Sequence, residues 1–142
     1  MELVIENKEK EDLDRFMIYL LDFTKNFLYE TIERDRLKQR EKRFNKLLEN
    51  RIKTKIHLES LLVAAIQNLQ WRKSSGKAYK IVLNRNEIFF GTDITISSLM
   101  RLLEYGTVNF PPLNFFHKKF KEIAESLPEI YESWKKSIGE DE

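Results

Sequence analysis

His57 and His117 are the first residues to test for chemistry, because a histidine can carry a proton or a metal near neutral pH. They are the two histidines in 142 residues, and the chain has no cysteine. Neither has a second histidine or a carboxylate at metal-ligand spacing, so each reads as a surface or interface residue. Without cysteine, neither a disulfide framework nor a thiolate zinc site can form. Ser74 and Ser75 stand in a loop with no base beside them and no nucleophile-elbow pattern. The four glycines are too scattered to make a phosphate-cradling loop. Acidic residues are plentiful, but they sit next to Lys and Arg on helix faces, where solvated charge pairing accounts for them. The expectation is therefore no catalytic residue, no cofactor, no metal and no small-molecule substrate.

A second kind of chemistry is phosphate contact. Between Glu30 and Lys55 there are ten Lys or Arg against five Asp or Glu. A helix carrying Arg36, Arg40, Arg43, Arg51 and Lys55 could touch a nucleic-acid backbone in a salt-dependent way. The acids interleave with these bases, and no Asn, Gln or aromatic pattern points to base reading. The plainer reading is a solvated or subunit-facing helix. A net charge of only +2 argues in the same direction.

The third cluster is "RLLEYGTVNFPPLNFF", residues 101–116. It ends an apolar run at Gly106 and sets Pro111 and Pro112 among Phe110, Phe115 and Phe116. A glycine in a left-handed cap and a proline pair stiffen a backbone at little entropic cost. Rings held on such a corner suit a partner's pocket. The same rings could instead fold back into the chain's own core, and the two readings are not exclusive.

These residues need elements to position them, and the length fits one domain that buries about 68% of its unfolded surface. Residues 1–71 read as a helical region, since neither Gly nor Pro occurs before Gly76. Asp12 or Asp14 would cap its start. Phe16, Leu20, Phe23 and Phe27 share one helical face, and Phe44, Leu48, Ile52 and Ile56 lead into a second set, Leu58, Leu62, Ala65 and Leu69. One rod from Phe16 to Trp71 would run about 84 Å, against a radius of gyration of about 14 Å for a compact chain. A break into two helices in the polar middle is the favoured expectation.

After the loop "RKSSGK", residues 77–96 read as a β region. "AYKIVL" is one strand, with Tyr79, Ile81 and Leu83 on one side. "EIFF" returns as its hairpin partner, and a third extended piece lies near Ile94–Ile96. Residues 97–138 hold the corner and the last helices. Ser97 or Ser98 caps a short helix, Asn114 caps the next, and "SLPE" reads as a capping box around Pro128. The fold class expected is α+β and predominantly helical: a long N-terminal helical region, a small hairpin or sheet, a short helix, and a C-terminal helix or kinked pair. No apolar run approaches a membrane span, and the acidic opening lacks the basic flank and apolar core of a secretory signal.

Glu104-Tyr105-Gly106-Thr107, the proline step and the phenylalanine after it resemble the "E-[YF]-G-T … P … F" signature of a phage family. That family is the head–tail connector or tail-completion (neck) proteins of long-tailed double-stranded DNA bacteriophages. The order of elements resembles theirs as well: long helix, small β region, motif, terminal helix. The resemblance implies a non-enzymatic virion structural protein that forms a ring in the neck or at the top of the tail, assembled in the host cytoplasm. Its partners would be copies of itself and other neck or tail proteins, with weak, non-specific DNA contact and no membrane. The interface would comprise Glu104, Tyr105, Gly106, Thr107, Phe110, Pro111, Pro112, Phe115 and Phe116. Phe116→Ala or Gly106→Val would then impair assembly more than secondary structure. The alternatives are a small nucleic-acid-associated regulator using the basic helix, and a monomeric helical adaptor using the same aromatics.

Overall fold

The computed structural model describes residues 1–5, 13–74 and 78–139. Its element order is β1 (Glu2–Ile5), α1 (Leu13–Glu30), α2 (Arg34–Leu47), α3 (Leu58–Gln67), β2 (Leu69–Lys73), β3 (Tyr79–Leu83), α4 (Ile96–Tyr105), α5 (Phe115–Glu125) and α6 (Leu127–Ser137). The class is predominantly helical α+β, with 57% of the described residues in helix and a three-stranded antiparallel sheet.

The N-terminal region is broken as physical length requires, but into three helices instead of two. At the first break Thr31 returns its hydroxyl to Phe27 O (2.7 Å), and buried Ile32 anchors the turn. The buried stripe of α1 is Phe16, Leu20, Thr24 and Leu28, while Phe23 and Phe27 are half-buried and stack beside it at 6.5 Å. Helix α2 is charged nearly all round and is held by two pegs, Leu37 and Phe44. The turn after it is clamped by Asn45, which donates to Ile56 O (2.8 Å) and accepts from Ile56 N (2.7 Å). Glu41 of α2 then accepts from Leu58 N (2.8 Å), so a carboxylate from one helix caps the next.

The sheet order is β1-β3-β2, antiparallel throughout. Tyr79, Ile81 and Leu83 lie on the buried face of β3 as their alternation dictates. Its partners correct the sequence reading. Leu69–Lys73 pairs with β3 in the register Leu69↔Leu83 to Lys73↔Tyr79. On the other side Glu2–Ile5 pairs from Glu2↔Val82 to Ile5↔Tyr79. Leu69 had looked like one more turn of helix; Asn68 stops α3, and pairing with β3 overrides the weak strand preference of "LQWRK". "EIFF" is not a strand. Ile88 makes one bridge, to Thr95, and Phe89 starts a turn.

One expected cap moves, and two keep their positions without the expected side-chain bond. Thr95, not Ser97 or Ser98, caps α4, its hydroxyl accepting from Ser98 N at 3.1 Å. Asn114 and Ser126 hold the N-cap positions of α5 and α6 without a side-chain cap bond. The C-terminal region is thus two helices meeting at Ser126, with Pro128 in the first turn of α6, where its missing N–H costs nothing. Asp14 lies in the first turn of α1, while Asp12, Ser75–Lys77 and the last three residues of "GEDE" lie outside the described residues.

One core joins these layers. Phe16 of α1 meets Tyr131 and Trp134 of α6 at 5.0 and 5.3 Å. At the other end Phe44 of α2 meets Phe110 at 5.6 Å.

Candidate functional site

The corner of residues 104–116 is built around a buried carboxylate. Glu104, with 0% exposure, lies near the C-terminal end of α4 and turns inward to the start of α5. Its Oε1 accepts from Phe115 N (2.9 Å) and Phe116 N (3.2 Å), and its Oε2 accepts from His117 N (2.8 Å). Three otherwise orphaned helix donors are satisfied by one anion at the positive end of the α5 dipole. The main chain repeats the tie: Leu113 N donates to Leu103 O and Asn114 N to Glu104 O. This is why Asn114 need not cap α5 and instead takes φ 55, ψ 30.

Gly106 lets the chain turn, in a different conformation from the left-handed cap expected. Its φ is 74 and its ψ −172, a region open essentially to glycine alone. A Cβ there would overlap Phe110 O and lie 2.8 Å from Pro112 N. Thr107 N donates back to Phe110 O (2.8 Å), closing a small loop.

The nine expected interface residues divide sharply. Phe110, Phe115 and Phe116 are buried in the chain's own core, as is Glu104. They are not displayed to a neighbour, because the tied corner folds back over α2 and α5 and apolar area is removed from water there. Gly106 is half-buried, and Tyr105, Thr107, Pro111 and Pro112 are exposed. Beside them stands Val108, fully exposed and given no role by the sequence reading. The exterior of the corner is therefore Tyr105, Thr107, Val108, Asn109 and the two prolines.

The basic candidates divide too. Arg51 and Lys55 lie beyond the end of α2, so the five do not share one helix. Arg36 pairs with Glu33 (3.4 Å) and Arg51 with Asp93 (3.2 Å). Arg40 donates to Pro111 O and lies 5.9 Å from the centre of the Phe110 ring, tying α2 to the corner. Partial burial, then the like charges of Arg36 and Arg43, lower the Arg40 pKa below the ordinary arginine value. Arg43 and Lys55 are exposed. A shallow groove of about 590 Å³ adds Lys42, Lys46 and Lys53 beside Lys55, with Glu49 among them.

His57 lies 3.7 Å from Glu41, the carboxylate that caps α3, and His117 is exposed on α5. Among the described residues, no three His, Asp or Glu gather closely enough to hold a metal ion. Among the same residues, no helix is long and apolar enough to cross a membrane. No protein-family model, no curated protein and no solved structure matches this chain.

Proposed function

We propose that this chain is a non-enzymatic structural protein of a phage particle, forming a ring in the neck or at the top of the tail. One observation carries the reading. The residues of the E-Y-G-T … P … F signature form a single tied unit, with Glu104 capping α5, Gly106 at φ 74 and the Arg40 contact bracing Pro111. A corner so ordered before binding presents Tyr105, Val108, Pro111 and Pro112 to a neighbour without further entropic cost. Contact falls to those exterior residues, while the phenylalanines hold the corner from within. The test is mass spectrometry and immunogold electron microscopy of virions from the genome that encodes the chain. Label at the head–tail junction is expected; absence of the protein from the particles overturns the proposal.

A second reading, a nucleic-acid-associated regulator, rests on the groove with Lys42, Lys46, Lys53 and Lys55. Four phosphate contacts would give a log–log salt slope of about −3.6 on duplex DNA. A flat response, or no binding at low salt, removes this reading.

A further inference from the structure

Phe90 is 96% exposed, yet its backbone is firmly held. Thr92 N donates to Phe89 O (3.0 Å) and Phe89 N donates to Ile94 O (2.9 Å). The Thr92 hydroxyl donates to Phe89 O as well (2.9 Å), and Gly91 takes φ 84, which few other residues tolerate. A ring fixed in water on a closed turn is an anchor waiting for a pocket, since aromatic anchors supply much of the energy of protein contacts.

A pocket of the right character exists on the same chain. Between β1 and α5 runs a groove of about 380 Å³, lined on its apolar side by Leu3, Val4, Phe120 and Ala124. His117 and Lys121 stand at its rim, and the acid there, Glu2, is drawn to Lys80 (3.5 Å). The Phe90 turn carries the opposite sign: Glu87 before it and Asp93 after it, the latter also paired with Arg51.

Strand β1 lies at the edge of the sheet among the described residues. Asn84 N donates to Asn68 O and Ser74 N to Ala78 O. By antiparallel alternation the even-numbered residues of β3 thus bond β2, and the odd-numbered ones bond β1. Leu3 and Ile5 therefore bond β3 through their backbone, and the backbone groups of Glu2 and Val4 point away from it.

Position excludes self-filling. The turn is tied to the start of α4 through Ile96 N to Glu87 O (2.9 Å). The groove lies at the end of α4, where Met1, one of its lining residues, donates to the Tyr105 hydroxyl (2.8 Å). The two ends of that helix are about 15 Å apart.

We infer that Phe90 of one copy seats in the β1–α5 groove of the next. The contact is heterologous, so it adds copies head to tail and closes where the rotation permits. It rests on the ring reading for its biological setting, and on the observations above for its existence.

The chain has no cysteine, so a mixture of Phe90→Cys and Ala124→Cys proteins reports the contact directly under mild oxidation. The mixed 90–124 disulfide is expected to outnumber both symmetric ones. In sedimentation equilibrium, Phe90→Ser and Ala124→Glu should each weaken self-association roughly thirtyfold or more. Both positions are exposed, so their melting curves should match the wild type. Phe90→Ser mixed with Ala124→Glu should stop at a one-to-one dimer, since only one working knob and one working groove remain. A wild type that does not associate, or cysteine variants that give no excess of the mixed disulfide, overturns the inference, as do Phe90→Ser and Ala124→Glu proteins that associate as tightly as the wild type. Rings in virions that survive Phe90→Ser would remove this contact and leave the ring reading standing. Phe90-dependent self-association of a protein missing from virions would do the reverse.

Discussion

Glu104 makes a buried charge useful by spending it on three backbone donors. Removing the carboxylate leaves those donors without a partner in an apolar setting, at a cost per group of about 1–3 kcal/mol less whatever water recovers. Glu104→Ala is therefore expected to lower unfolding stability by about 3 kcal/mol in urea titration, while Glu104→Gln, which keeps an acceptor oxygen, loses less. The residue was singled out in the sequence by its motif, but its work was not legible there. Its partners lie eleven to thirteen positions along the chain, and no local spacing rule relates a carboxylate to donors at that distance.

Elements in this molecule are locked to one another by polar side chains as well as by packing. Asn45 and Glu41 of α2 fasten the turn before α3 and cap that helix. Tyr79 of β3 donates to Asp14 of α1 (2.5 Å) and so ties the sheet to the first helix. That bond, and then burial, raise the Tyr79 pKa above its ordinary 10.0. A raised folded-state pKa means that the stabilisation is complete below about pH 10 and is lost as pH climbs through the folded value. Tyr79→Phe should therefore cost about 2 kcal/mol at neutral pH. The gap between the two proteins should close above pH 10, as followed by chemical unfolding at several pH values. The helices and β3 were legible because each carries its own periodicity. β2 and the first strand were not, because "LQWRK" and "ELVI" become strands through pairing with β3.

At the scale of the whole molecule, the residues that hold the fold differ from those to which the proposed assembly assigns contact. Phe116 is 1% exposed in the core, so Phe116→Ala should cost about 3–5 kcal/mol of stability in thermal or urea unfolding. Gly106→Val should also unfold the corner, since any Cβ there meets backbone. Neither substitution isolates assembly, contrary to the expectation from sequence. Substitutions at Phe90 and Val108 are expected to leave the fold intact and so to test the proposed contacts, because both residues project from closed turns. The same division separates the basic candidates: Arg36, Arg40 and Arg51 are engaged within the chain, while Arg43 and the lysines around Lys55 lie on the surface.

What the sequence determined by itself was everything that depends on neighbours within a few positions. That covers the helical class, the alternation of β3, the need for the long N-terminal region to break, and the stiff corner at Gly106 and the prolines. What only the tertiary structure decided was direction and partnership. It set which strands flank β3, which carboxylates cap α3 and α5, and that Phe110, Phe115 and Phe116 turn inward while Phe90 turns out. Periodicity specifies that a face is apolar, but the partner burying that face is chosen by contacts between residues far apart in the chain, and those exist only once it has folded.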